Sequence, residues 1–448
     1  MANNFDAYNP EHWANATVAQ LYENMVFLGL VHRDFEPLFN KFGDVVNTRQ
    51  PAKLTSVRKA KASDIAMQDV SATNIAVPLD QHIYTSMNIG DIDQNYSFKD
   101  LMAEFIEPAG MALAKTANQV VAGSMISNLL AADRVTGLAS QTVYENIVDT
   151  RTYLDTSLAY EEGRNLVATP GVQNSMLKDS NLYRADAAGS DVVVKKGLLG
   201  NLANFNLYKD QILTNLSPAA AGVSGTGDLT IAAATAGATS LVTTATTLNG
   251  SYAIAAGQFL AVNGVPYRIT AVSGSGPYTI TIHRGLATAA SAGVIKAYGV
   301  STAAASYAAG YGEALTISVG SGGFSVATVG QIVRIGTAFY QVISVPTATT
   351  IYLDRPLDAA VSSSDPIAPV ARGNYSVAFH RNAMTAAIRP LAPVQDGIGA
   401  RSAVSNFRNL SVRATIGYNM TKQHKQVTLD FLMGTKMLDT NLAAVMVS

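Results

Sequence analysis

The sequence predicts an α+β fold with its long helix early in the chain and an all-β segment in the middle. Three observations point there. Apolar residues at Phe98, Leu101, Phe105, Leu113, Val120 and Leu129, with partners at Met102, Ile106 and Val121, keep a helical period for roughly 30 residues. From Ser217 to Thr350 the full charges shrink to Asp228, Arg268, Arg284, Lys296, Glu313 and Arg334, while short β-branched runs alternate with glycines. After Pro369 periodic segments return, and the chain closes on alternating strands.

Residues 1–44 read as an N-terminal arm. Within it 10–36 has a helical stripe of Val18, Leu21, Tyr22, Met25 and Leu28, with Asn9 or Asn15 as cap. Residues 45–96 read as an extended β loop, because Val45, Asn47, Arg49 and later Ile75, Val77, Leu79 alternate as exposed strands do. Between Val45 and Ser63 there is no acid, while Arg49, Lys53, Arg58, Lys59 and Lys61 are basic. A solvated hairpin and a contact between subunits fit this run equally well.

Residues 97–216 form the first part of the main body. Ser97-Phe-Lys-Asp100 resembles a capping box with Asp in place of Glu, and it opens the long helix. At 1.5 Å per residue that helix is about 45–50 Å long, and Pro108 is expected to kink or divide it. A second helix is expected over Val143–Leu158, followed by strands and loops to Ile212.

Residues 217–365 form the β insert, and it contains one module twice. Gly257–Val272 (GQFLAVNGVPYRITAV) aligns without gaps on Gly330–Val345 (GQIVRIGTAFYQVISV). Thr279–Leu286 (TITIHRGL) aligns on Thr350–Leu357 (TIYLDRPL) after a slightly shorter loop. Convergent strand-turn-strand patterning also gives local matches, but two blocks in one order at nearly constant offset favour duplication. The units span about 226–290 and 312–360, with Leu229-Thr-Ile231 and Leu315-Thr-Ile317 as candidate matching first strands. Two copies fall short of the roughly three repeats of a solenoid, which leaves two small β-barrels or one closed double unit. Phe259, Val262, Tyr267, Ile269, Ile280 and Ile282 are the expected core of one unit. Ile332, Ile335, Tyr340, Val342, Ile351 and Leu353 are that of the other.

Residues 366–448 form the second part of the body. Phe379, Ala383, Ala386 and Ala387 predict an Ala-rich helix ended by Pro390. Leu410–Tyr418 and Val427–Phe431 predict strands joined by a turn over Asn419–Gln426.

Bulk composition narrows the function. Only 14% of the 448 residues are charged, against roughly a quarter in an average soluble protein, and the mean hydropathy is +0.16. An assembly subunit covered by neighbours fits such a surface; a large β protein with a Ser/Thr/Gly exterior has the same composition. With 31 basic and 32 acidic residues the net charge is −1, which argues against a dedicated nucleic-acid binder. No cysteine is present, so disulfides and thiolate metal sites are excluded. The opening MANNFDAYNPEHW has no signal-peptide pattern, and no apolar run approaches the roughly 20 residues of a membrane span, so a cytoplasmic origin is expected.

Catalytic motifs are missing. His12, His32, His82, His283, His380 and His424 form no metal-ligand spacing. Gly274-Ser-Gly276 and Gly397-Ile-Gly399 lack the third glycine of a dinucleotide loop, and neither a P-loop nor a nucleophile elbow occurs. Asp91 and Asp93 precede the long helix, where acids suit the N-terminal dipole better than acid–base chemistry. His380 beside Arg381 fits a packing role at a helix start, or else a contact to DNA or lipid. No enzyme activity, cofactor or metal is expected.

Three segments carry a resemblance. Asn165–Leu177 (NLVATPGVQNSML) resembles the phage coat pattern of a strand, a proline and a short helix. Lys195–Ile212 (KKGLLGNLANFNLYKDQI) resembles the coat segment where a glycine turn leads into a strand, with Asn204 and Asp210 replacing commoner residues. Ser376–Leu391 (SVAFHRNAMTAAIRPL) resembles the Phe-His-x-x-Ala helix late in such proteins. In this order they resemble the tailed-phage major capsid protein of Hong Kong 97-type fold, and the insert is placed similarly to that in the coat protein of short-tailed Salmonella phages. The resemblance implies an arm, extended loop, spine helix, and peripheral and axial domains. It implies a structural subunit that self-assembles as hexamers and pentamers into an icosahedral shell around phage double-stranded DNA. The implied location is the virion, after assembly in the host bacterial cytoplasm. The implied partners are copies of itself, a scaffolding protein, a portal protein and a decoration protein, with non-specific contact to packaged DNA and no membrane. With no long helical prodomain before residue 10, a separately encoded scaffold is expected. Arg49, Lys53, Arg58, Lys59, Lys61, Asp91 and Asp93 are the candidate contacts between subunits. A β-rich tail or fibre protein, or an adhesin, is the alternative, and the long helix argues against it.

Overall fold

The structure is a computed structural model that describes residues 17, 26–33, 45–49, 58, 74–90, 101–137, 141–178, 201–211, 213, 227–243, 247–248, 252–254, 256–263, 265–274, 277–297, 301–318, 329–347, 349–370, 374–394, 400–407, 410–421 and 423–447. The expected capping box at Ser97–Asp100 lies outside them. The chain forms two compact units.

The first unit comprises Met1–Asn24, His32–Ala114 and Met384–Leu438. Its central strand is His424–Met437, of 14 residues. One edge of it pairs antiparallel with Gln81–Gly90, from Met433 opposite Gln81 to His424 opposite Gly90. The other edge pairs with Leu410–Asn419 and then with Met384–Arg389, and Ala400–Phe407 pairs with the free side of Leu410–Asn419. Val427, Leu429, Phe431 and Met433 are buried, as period-two alternation over a one-sided core requires. A Cβ on Gly434 would meet the carbonyl oxygen of Pro78 at 2.1 Å, so only glycine lets that backbone approach. Val45–Arg49 pairs antiparallel with Asn74–Pro78, Val45 opposite Pro78 and Arg49 opposite Asn74.

The helix expected over 10–36 does not continue to its predicted end. Phe27–Leu30 is a single helical turn, and Val31 already has extended backbone, with φ −89° and ψ 166°. The His32 N–H then donates to the Met384 carbonyl at 3.0 Å, and the Ala386 N–H to the His32 carbonyl at 3.2 Å. Strand pairing at residue 32 takes the backbone groups that further helix would have used.

The long helix spans Leu101–Ala131, 31 residues, and continues through Pro108. Residues 120–127 are buried on every side, so this stretch is a core helix, not an amphipathic one. It ends in a left-handed cap. Asp133 has φ 56°, the Arg134 N–H donates to the Leu129 carbonyl at 2.8 Å, and the Asp133 N–H donates to that of Leu130 at 3.3 Å.

The second unit comprises Met25–Val31, Lys115–Ala383 and Asp439–Ser448. The helix Val143–Thr156 opens with a full capping box between Thr142 and Glu145. A six-stranded mixed sheet runs Val135–Thr136, Ala443–Val447, Tyr375–His380, Arg164–Ala168, Phe205–Lys209, Asn201–Leu202. The strand Arg164–Ala168 leads through Thr169 into the helix Pro170–Lys178, with proline at the first helical position. Ala203 and Asn204, both at positive φ, turn Asn201–Leu202 back onto Phe205–Lys209.

The predicted Ala-rich helix around Phe379 is instead a strand, a turn and a strand. Tyr375–His380 is a central strand, Arg381–Ala383 a single 3₁₀ turn, and Met384–Arg389 a strand of the first unit. Tyr375–Phe379 is buried throughout. A strand covered on both faces reads as a continuous apolar run, which periodicity does not distinguish from a buried helix.

Residues 227–369 form two closed six-stranded barrels in succession. Gly227–Ile231, Ser240–Thr243, Phe259–Val262, Val265–Ser273, Tyr278–Ile282 and Gly293–Ala297 make the first. Ser301–Ala303, Leu315–Ser318, Ile332–Ile335, Ala338–Thr347, Thr350–Leu353 and Pro366–Pro369 make the second. With strands counted one to six along each half, both barrels close in the cyclic order 3-4-5-2-1-6. Leu315–Ile317 is therefore a second strand, equivalent to Ser240–Thr243; it does not match Leu229–Ile231, whose counterpart is Ser301–Ala303.

Candidate functional site

The duplication extends to single hydrogen bonds. Tyr267 fills the first core and its hydroxyl accepts the Ala287 N–H at 2.8 Å; Tyr340 fills the second and accepts the Asp358 N–H at 2.9 Å. Arg284 lies over the Tyr267 ring at 5.1 Å and Arg355 over Tyr340 at 4.6 Å. Arg284 donates to the Pro266 carbonyl and Arg355 to that of Phe339, the equivalent residue. The Arg268 N–H donates to the His283 ring and the Gln341 N–H to the Asp354 carboxylate, again at matching positions. Burial raises the ionisation of both tyrosine hydroxyls above the ordinary range, each partly offset by its backbone donor.

Ten of the twelve expected core residues lie in the two barrel cores. Phe259 and Ile332 do not. They are buried, but strand alternation turns Leu260 and Val333 inward and these two outward. Phe259 meets Phe339 of the other barrel edge-on, with ring centroids 6.1 Å apart.

That aromatic pair borders a cavity of about 240 Å³ between the barrels and the end of the long helix, bordered also by Asp133, Arg268, His283, Arg284 and Arg334. Asp133 pairs with Arg284 and lies 3.5 Å from His283. Arg334 is pushed down to about 10, chiefly by burial and then by the neighbouring Arg268 cation. Sequence motifs gave no hint of this cavity. Its signal was the position of three of the insert's few cations.

Among the described residues of the second unit, Arg164 is a further buried cation. Arg164 is 1% exposed; it donates to the carbonyls of Tyr160 and Ala159 at 2.6 and 2.8 Å and pairs with Asp155 at 2.6 Å. His380, at a strand end instead of a helix start, stacks obliquely on Tyr160, and its Nδ1 accepts the Asn382 N–H at 3.2 Å. Burial, then Arg164 and Arg381, hold its imidazole below the ordinary histidine range.

In the first unit Asp430 is buried and accepts from Arg413 Nε and Nη2 at 2.9 and 2.5 Å, with His82 at 3.2 Å. The three residues stand on adjacent strands. Of the candidate intersubunit residues, Arg49 ends a strand opposite Asn74 and Arg58 is exposed. Lys53, Lys59, Lys61, Asp91 and Asp93 lie outside the described residues.

No family model and no curated protein matches the chain. Among solved structures it is similar to one from Mycobacterium phage Che8, at 13% identity and a TM-score of 0.44, covering 94% of this chain and 90% of that one. It is similar to the capsid structure of cyanophage P-SCSP1u at 9% identity and a TM-score of 0.43, covering 91% and 84%. It is also similar to the asymmetric unit of the mature capsid of bacteriophage PhiM1, at 10% identity and a TM-score of 0.39, covering 90% and 82%.

Proposed function

We propose that this chain is the major capsid protein of a tailed phage, with a Hong Kong 97-type fold, and that copies of it close into an icosahedral shell around double-stranded DNA. The observation that carries the reading is an adjacency. The motif segments Asn165–Leu177 and Ser376–Leu391 are about two hundred residues apart in sequence, yet their strands pair directly, Val167 opposite Val377 and Arg164 opposite His380. Phe205–Lys209, from the third motif segment, pairs parallel on the other side of Arg164–Ala168. One strand from each of the three segments that prompt the resemblance thus meets in one sheet. The barrels arise from the chain between Phe205–Lys209 and Tyr375–His380, the two strands that flank Arg164–Ala168 in that sheet, which suits a domain inserted into a pre-existing body.

In this reading the insert is a surface domain, and the scaffolding, portal and decoration proteins are partners of the assembled shell. Closed symmetry makes modest repeated contacts sufficient. Negative-stain electron microscopy of the expressed full chain tests the proposal, with closed shells expected. Fibres would support the tail or fibre alternative. Dispersed single particles at high concentration, with and without a co-expressed scaffold, would sink the shell reading.

A further inference from the structure

The cavity between the barrels collects charge in a region that otherwise has almost none. From Ser217 to Thr350 the cations are Arg268, Arg284, Lys296 and Arg334, and three of these four line this one cavity. Arg284 is shared with Asp133. The guanidinium groups of Arg268 and Arg334 have no hydrogen-bond or ion-pair partner among the described residues. Each stands across its strand pair from one ring of the central aromatic contact, Arg268 opposite Phe259 and Arg334 opposite Phe339.

Two structural roles would explain such arginines, and neither applies. Cations can serve the carbonyls at a helix C-terminus, but those of Asn128, Leu129 and Leu130 already accept from Ala132, Arg134 and Asp133. Shared barrel architecture could also require them, as it does Arg284 and its equivalent Arg355. The equivalents of Arg268 and Arg334 are Gln341 and Ala261, so the barrel closes without a cation at either place. Bringing two like charges together in a partly buried cavity costs stability, and an anion between them would recover it.

We infer that this cavity binds a doubly charged phosphate, free or as a phosphomonoester, with Arg268 and Arg334 as its principal ligands and Arg284 at its edge. Guanidinium groups bind phosphate oxygens in paired, charge-assisted hydrogen bonds. A dianion matches two unpaired cations where a single carboxylate leaves one over.

The test is calorimetric titration and thermal melting of the full chain with inorganic phosphate and with adenosine 5′-monophosphate, each against chloride at equal ionic strength. Saturable binding of one phosphate per chain is expected. Arg334→Gln and Arg268→Gln should weaken it at least about tenfold, while Arg401→Gln, on the first unit, leaves it unchanged. In phosphate-free buffer Arg334→Gln should melt no lower than the parent, since it removes a repulsion, which separates loss of the site from loss of the fold. Tighter binding of inorganic phosphate would identify the free ion as occupant, and tighter binding of the nucleotide the ester. No saturable binding beyond chloride, or unchanged binding in both arginine variants, would overturn the inference.

Discussion

Tyr267 and Tyr340 show how one residue can define a module. Each places its ring in a barrel core and its hydroxyl under the backbone N–H that begins the next loop. Replacing either by Phe removes that hydrogen bond, at about 0.5–1.5 kcal/mol. Replacing either by Ala adds a cavity and raises the cost to about 2–5 kcal/mol. Chemical denaturation of the variants should rank parent above Phe above Ala; equal midpoints would mean that these residues are not core. His380 makes a second prediction. Burial and the Arg164 and Arg381 cations disfavour its charged form, so the folded chain takes up this proton less readily than the unfolded chain. The stability it contributes is present above the ordinary histidine value of about 6.5 and is lost as pH falls from there through the folded value. Melting temperature measured over that window should fall less steeply for His380→Asn than for the parent, and parallel curves would show that His380 does not contribute.

At the scale of elements, the barrels are the part of the fold most legible in the sequence. Most strands there are short, alternate cleanly and are separated by glycine turns, so the repeat exposes itself by alignment over the third to fifth strands of each barrel. Elsewhere the local pattern carries less information. Tyr375–His380 is covered on both faces and loses alternation, so Ala-rich composition suggested a helix. Phe259 and Ile332 read as barrel core because hydrophobicity reports burial and not which barrel, or neither, supplies the cover. The pairing of Leu315–Ile317 with Leu229–Ile231 went astray because Ser301–Ala303, the true first strand of the second barrel, has little apolar pattern to recognise. The arginine cavity is assembled from four separated segments, and no spacing rule reaches that far. Because each barrel has its own closed core, residues 225–371 should fold when excised. Dispersed amide resonances and a cooperative melt are expected, and random-coil dispersion would show that the barrels depend on the rest of the second unit.

At the scale of the whole molecule, the charge pattern suggests how copies associate. The strands Val45–Arg49 and Asn74–Pro78 pair, so residues 50–73 connect the two strands of an antiparallel pair. From Val45 to Ser63 this region has five cations and no acid. From Asp69 to Glu107 the bias reverses, with Asp69, Asp80, Asp91, Asp93, Asp100, Glu104 and Glu107 against Lys99. Two such halves can satisfy each other within one subunit, or head to tail between neighbours. We propose the second arrangement, because Arg58 is exposed within its own chain. An exposed ion pair contributes only about 0–1 kcal/mol, too little to matter to one fold, but in the proposed shell it is repeated at every contact and the sum would decide closure. Such pairs are screened by salt, so assembly should also weaken as ionic strength rises. Reversing Arg58, Lys59 and Lys61 to Glu should leave the circular dichroism spectrum and melt of the subunit unchanged while closed particles vanish from micrographs. Normal shells from the triple variant would show that the basic run is merely solvated.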